Sequence, residues 1–162
     1  MATAKPFGVL TRETVPVGTE DGAVSDSKLR AAPIVATAKS GRVLVVDDEA
    51  AVGRTIQRLL GDRHDVVVVT SGLHAIDLLE AGGDFDVVLC DMSMPDVTGM
   101  EVFTRSTASR PELAPRFVFM TGGSFHPRTR EFLETTSNAR IDKPFDLNVL
   151  RSIVRDRIAQ QS

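Results

Sequence analysis

Phe85-Asp86-Val87-Val88-Leu89-Cys90-Asp91-Met92-Ser93-Met94-Pro95 is the stretch whose reading decides the fold. Val87 to Cys90 is an unbroken apolar run that ends on a single acid, and a proline follows shortly after. A short apolar run bounded by turn signals reads as a β-strand buried on both faces, as in a parallel sheet. Asp91 then stands where the strand leaves the core. In an open parallel sheet, ligands bind at the carboxyl ends of the strands. Taken alone, Asp91 could equally end the strand and begin a turn, as aspartate often does. The neighbouring segments decide between the two readings.

Upstream, Arg42-Val43-Leu44-Val45-Val46 is a second apolar run, and it ends in Asp47-Asp48-Glu49. Capping of the next helix, or attraction to its positive amino end, accounts for one or two of these acids but not comfortably for all of them. That helix carries Val52, Ile56, Leu59 and Leu60 on one face, and Gly61 is expected to stop it. Val66-Val67-Val68-Val69 is a third strand, β-branched throughout. Thr70-Ser71-Gly72 can start a helix with Leu73, Ile76 and Leu79 as its expected apolar face and Leu78 alongside, broken by Gly82-Gly83. Downstream of Pro95, a helix with Met100, Val102 and Phe103 extends toward Ser109, and Pro111 closes the region. Phe117-Val118-Phe119-Met120 is a fourth apolar run, ending at Thr121-Gly122-Gly123. A helix around Pro127–Glu134 carries Phe132 and Leu133. A short fifth strand near Ala139–Ile141 then leads into Asp142-Lys143-Pro144-Phe145. The last helix is expected to bury Leu147, Leu150, Ile153, Val154 and Ile158.

Strands alternating with helices in this way predict an α/β domain over residues 41–160, a parallel sheet with helices on both faces. Right-handed crossovers gather the carboxyl ends of the strands on one edge. Asp47, Asp48, Asp91, Thr121 and Lys143, far apart in sequence, are thereby expected to meet. Residues 1–40, with Pro6, Pro16 and Pro33 and no sustained period, read as a flexible, disordered tail or linker, with a helical turn conceivable near 27–32.

Composition bounds the function. The 162 residues are 42% hydrophobic and 25% charged with a formal net charge of −3, ordinary for a globular domain that folds without disulfides or structural metals. Cys90, the sole cysteine, lies inside an apolar run and reads as a small core residue in a reducing compartment. No apolar run approaches the roughly 18 residues a membrane span needs. No basic patch precedes an apolar stretch at the amino terminus, so a secretory signal is not expected. A sequence pI near 5.6, with no Trp or Tyr, argues against a nucleic-acid surface. A cytoplasmic location is expected.

Three aspartates at one edge would repel. Two carboxylates about 4 Å apart do so by roughly 4 kcal/mol at an effective dielectric near 20. A cation or a retained proton relieves this, and oxygen-only ligands that leave room for water and phosphate suit Mg²⁺. A carboxylate can also attack phosphorus to give an aspartyl phosphate. Phosphoryl transfer chiefly needs positioning and positive charge around the equatorial oxygens, which Mg²⁺ and Lys143 would supply. The Thr121 hydroxyl and an N–H near Gly122 would add donors. Singly, Thr121 could merely end a strand and Lys143 could be a solvated surface charge; the case rests on their convergence.

Asp-Asp-Glu after the first strand, Asp-x-x-Met-Pro-x-x-x-Gly after the third, Thr-Gly after the fourth and Lys-Pro-Phe after the fifth resemble the receiver domain of two-component response regulators. The resemblance covers Gly41 to about Gln160. It implies a flavodoxin-like, doubly wound fold with strand order 2-1-3-4-5. Asp91 matches the phosphoacceptor, Asp48 the direct Mg²⁺ ligand, Asp47 the acid that acts through water, and Ser93 the position whose backbone carbonyl binds the metal. Thr121 matches the switch hydroxyl and Lys143 the motif lysine, with a cis bond to Pro144. Such a domain accepts a phosphoryl group from a phosphohistidine on a sensor histidine kinase or histidine phosphotransfer domain. It is not an enzyme in its own right, although it assists its own phosphorylation and dephosphorylation. Partners would be proteins, not nucleic acid or membrane, and a phosphorylation-dependent homodimer is compatible with the resemblance.

Two departures stand out. Arg140 occupies the position three residues before the lysine where the family often has Tyr or Phe, so an aromatic-rotation switch is not expected. Any output change then uses another element, such as the stretch around Gly122-Gly123. Ser93 and Gly123, where the family tunes hydrolysis, supply no acid or amide to orient water, so a comparatively long-lived phosphoryl group is expected. The main alternative is a pseudo-receiver acting only as an interaction module, but the matching polar positions are all intact. An aspartyl-phosphate phosphatase would need a second acid where Ser93 stands, and no G-x-G-x-x-G follows the first strand to bind a dinucleotide. His64, His74 and His126 lack ligand spacing and read as surface histidines. The helix after Glu49 is the family's usual docking surface; Val52 and Ile56 could serve docking or the core. No output domain is recognisable, which fits a stand-alone regulator or the carboxyl-terminal receiver of a hybrid histidine kinase.

Overall fold

In the computed structural model, which describes residues 39–124 and 126–161, strand and helix alternate without interruption. The elements are β1 (Arg42–Val46), α1 (Ala50–Leu60), β2 (Asp65–Val69), α2 (Gly72–Glu80), β3 (Val87–Asp91), α3 (Gly99–Ser109), β4 (Phe117–Thr121), α4 (Pro127–Thr135), β5 (Ala139–Asp142) and α5 (Leu147–Gln160). A 3-10 turn over Pro111–Arg116 joins α3 to β4. The five strands form one parallel sheet in the order β2-β1-β3-β4-β5, the order expected. The tail expected over residues 1–40, including the turn near 27–32, lies outside the described residues except for Lys39 and Ser40.

The period-2 alternation of the strands divides the core into two layers. Leu44, Val46, Val88, Cys90, Phe117 and Phe119 face one way and pack against Ala75, Ile76 and Leu79 of α2, Val102 of α3 and Leu133 of α4. Val43, Val45, Val87, Leu89, Val118 and Met120 face the other way, against Ile56 and Leu60 of α1 and Leu150, Val154 and Ile158 of α5. Both faces being covered explains why the strands read as continuous apolar runs. Ile56 is fully buried, which assigns it to the core rather than to docking.

Two expected core positions are corrected. Leu73 is 49% exposed and Leu147 is 42% exposed, each near the amino end of its helix. The face that α2 buries is Gly72, Ala75, Ile76 and Leu79. A Cβ on Gly72 would come within 2.8 Å of the Val97 carbonyl, so the helix is seated through Gly72 and Leu73 turns outward. Gly61 does cap α1, but with right-handed backbone (φ −63°) rather than the left-handed glycine ending.

Candidate functional site at the carboxyl edge of the sheet

Each strand of the central trio delivers a polar residue immediately beyond its apolar run. β1 leads into Asp47, fully buried, and then into Asp48, which is exposed. β3 ends in Asp91, which is 4% exposed. β4 ends in Thr121, and β5 runs through Asp142 to Lys143. The Lys143–Pro144 bond is cis, as expected. Asp48, Glu49, Asp91, Ser93, Gly122 and Lys143 line one cleft.

Lys143 organises the charge. Its Nζ donates to Asp47 Oδ2 at 2.7 Å and lies 3.5 Å from Asp91 Oδ1. Burial alone would lower the pKa of this ammonium. The hydrogen bond and charge of Asp47, reinforced by Asp91 and Glu49, outweigh it and hold the group above its ordinary value. Asp47 is anchored from its other side, where the Glu49 N–H donates to Oδ1 at 2.9 Å. Asp91 is served less well. Burial pushes its carboxyl above the ordinary range, and the charges of Asp47 and Asp48 add to that. The Ser93 N–H, donating to Oδ1 at 3.2 Å, and Lys143 offset only part. Lys143 and Asp91 thus both shift upward for different reasons: burial raises Asp91, and the ammonium, nearer to Asp47 than to Asp91, offsets little of it while being itself raised by Asp47.

Asp47, Asp48 and Asp91 each place a carboxylate oxygen within 4.8 Å of the others. Three oxygen donors, with Asp48 open to solvent for completing waters, fit a hard divalent cation such as Mg²⁺. Softer metals would want nitrogen or sulfur, and Cys90 is enclosed in the core, its thiol pushed far up by burial.

The loop after Asp91 is held by close packing. Met92 N–H donates to the Met120 carbonyl at 3.0 Å, extending the β3–β4 ladder past Asp91. Gly99, the first residue of α3, lies so close that a Cβ there would be 2.4 Å from the Asp91 carbonyl oxygen. Thr98 and Glu101 close that helix end with a reciprocal capping box.

Of the residues expected at the site, the structure brings Asp47, Asp48, Asp91, Ser93 and Lys143 together. Thr121 is at the same edge, but its hydroxyl is bonded to Asp142 on the neighbouring strand. Arg140 is exposed. His74 and His126 are exposed and His64 is half-buried; His126 Nδ1 accepts from Arg128 N–H at the start of α4, and His64 Nδ1 accepts from Gly41 N–H. The sequence pattern assigns no role to Asp142, although an acid at a strand's carboxyl end is the signal that marks Asp91. Glu49, for which the sequence alone indicates no role, lines the cleft and bears on Lys143.

The family model described as response regulator receiver domain matches residues 43–155. The chain is 30% identical over 119 residues to two-component response regulator 24 of Arabidopsis thaliana, covering 72% of this chain and 84% of that protein. It is 29% identical over 124 residues to sensor kinase CckA of Brucella abortus, covering 75% of this chain and only 13% of that protein. Among solved structures, the receiver domain of sensor histidine kinase PA1611 from Pseudomonas aeruginosa, described with a magnesium ion coordinated in its active site cleft, matches with a TM-score of 0.65. The identity there is 21%, over 74% of this chain and 98% of that one, a likeness of fold. Among the described residues, no helix is long and apolar enough to cross a membrane.

Proposed function

The chain belongs to the response regulator receiver domain family, and from that premise we propose that it is a phosphoacceptor in a His-to-Asp phosphorelay, with Asp91 as the acceptor. The observation that carries this reading is the placement of one ammonium, Lys143 Nζ, 2.7 Å from Asp47 and 3.5 Å from Asp91 in a cleft with three clustered acids. A carboxylate oxygen of Asp91 attacks phosphorus; the new O–P bond forms as the N–P bond of the donor phosphohistidine breaks, and the imidazole leaves. Lys143 neutralises charge gathering on the transferred group. Gly122, without a side chain, lets that group approach and offers its N–H. Asp48, Asp47, Asp91 and the Ser93 carbonyl would hold Mg²⁺, which when bound supplies further positive charge to the phosphoryl oxygens.

The donor would be a sensor histidine kinase or a histidine phosphotransfer domain. The switched surface would be read by a protein partner or by a second copy of the chain, in the cytoplasm. Incubating the full chain with Mg²⁺ and acetyl phosphate tests the core of the reading. A hydroxylamine-labile adduct is expected, and it should vanish in Asp91→Asn and without Mg²⁺. A labile adduct that survives Asp91→Asn, or none in the unaltered chain, overturns the assignment. Because neither Ser93 nor Gly123 supplies an acid or amide side chain to orient a water, the adduct is expected to outlast minutes once donor is removed; decay within seconds would contradict that.

A further inference from the structure

Thr121 ends β4 and Asp142 ends β5, and the two are opposed partners in the parallel register. Their side chains meet. The Thr121 hydroxyl donates to Asp142 Oδ1 at 2.5 Å and approaches the Ile141 carbonyl at 3.5 Å. Both acceptors belong to β5, whereas Asp91 is on β3. Thr121 is also missing from the residues lining the cleft around Asp91. Its backbone is fixed there, because Lys143 N–H donates to the Thr121 carbonyl. Moving the hydroxyl toward Asp91 is therefore a matter of side-chain rotation. A threonine χ1 has few wells, which makes the motion a choice between discrete positions.

A hydroxyl has one proton to donate. Donation to Asp142 and donation to a phosphoryl oxygen on Asp91 exclude one another. Of the two acceptors on β5, the Asp142 carboxylate is stronger than the neutral Ile141 carbonyl, because hydrogen bonds to charged groups exceed neutral ones, and a phosphoryl group, itself anionic, can compete with it. We propose that Asp142 is a positioning residue whose carboxylate holds the Thr121 hydroxyl on the β5 side in the unphosphorylated chain, so that a phosphoryl group on Asp91 must draw it away. This rests on the reading of Asp91 as phosphoacceptor. Asp142 thereby sets how large a fraction of molecules is ready to receive the phosphoryl group, and apparent affinity falls in proportion to that fraction.

The test is a titration of the full chain with beryllofluoride, a phosphoryl mimic, at saturating Mg²⁺. Asp142→Asn keeps a neutral acceptor and is expected to tighten apparent binding about threefold; Asp142→Ala removes the acceptor and should tighten it about tenfold. Deleting a negative charge near an anion site could tighten binding by itself, so both changes are repeated in a Thr121→Ala background. There the gain should disappear, since no hydroxyl remains to be held. The Thr121 side-chain couplings measured by NMR in the unliganded chain should move from one rotamer toward averaging in Asp142→Asn. Equal affinity in the variants and the parent, or the same gain with and without the hydroxyl, overturns the proposal. Asp142→Asn is nearly isosteric at an exposed position, so it remains informative if the alanine variant folds poorly. A parent chain that binds no beryllofluoride and forms no adduct with acetyl phosphate would instead refute the phosphoacceptor reading, and this proposal with it.

Discussion

Asp47 keeps a fully buried carboxylate at the sheet edge because Lys143 Nζ takes one oxygen and the Glu49 N–H takes the other. Asp91, nearly as enclosed, has one amide and a more distant ammonium, so its charge is the less compensated of the two. Replacing it with the neutral amide should therefore stabilise the metal-free chain. Asp91→Asn is expected to raise unfolding free energy by about 1 kcal/mol, read from urea denaturation in the presence of a chelator. Mg²⁺ should do the same for the parent chain by binding only the folded acids, by about 2.7 kcal/mol at a hundred times its dissociation constant, and should do little for Asp91→Asn. A variant less stable than the parent without metal would show that the acids are not in repulsive balance. Asp47, Asp48 and Asp91 are legible because they follow apolar runs, and Lys143 because it stands in Lys-Pro-Phe just past the short fifth strand. Asp142 ends that same strand, but its meaning lies in the register that opposes it to Thr121, and register is not written in any single segment.

The helices show what spacing alone leaves open. In α2, residues at three- and four-residue intervals define a stripe, yet the rotation of that stripe is set by what the helix packs against. Gly72 lets the backbone come close to Val97 and to Val102 of α3, and small residues carry little hydropathic signal, so spacing alone places Leu73 in a core that it does not join. Small size has a functional counterpart in α3. Gly99 seats the start of that helix against the Asp91 carbonyl, and a methyl group there would meet that backbone oxygen first, which cannot swing aside as the nearby Met92 side chain can. Gly99→Ala should cost about 2 kcal/mol by overpacking. It should also slow adduct formation from acetyl phosphate, because the strain falls on the backbone that carries the acceptor. An alanine variant with full stability and an unchanged rate would mean that the loop after Asp91 yields freely.

Across the whole molecule, the reacting groups occupy one edge while the apolar mass that holds the strands in register lies on the two faces. Four phenylalanines knit one of those faces together. Phe103 of α3 meets Phe117 and Phe119 of β4 and Phe132 of α4 edge-on, at ring separations of 5.1, 5.5 and 5.5 Å. Truncating Phe103 to alanine removes its transfer free energy, leaves a cavity and breaks three ring contacts, for an expected loss of about 3 kcal/mol. β4 is nonetheless clamped by backbone ladders to β3 on one side and β5 on the other, so Thr121 and the neighbouring Asp91 should keep their places in molecules that remain folded. Urea denaturation of Phe103→Ala should therefore show a large stability loss. The rate of acetyl phosphate labelling per folded molecule, measured well below the melting transition, should match that of the parent. A chain that is folded but unreactive would mean that the ring cluster shapes the acidic cleft directly, and the division between supporting faces and reacting edge would not hold.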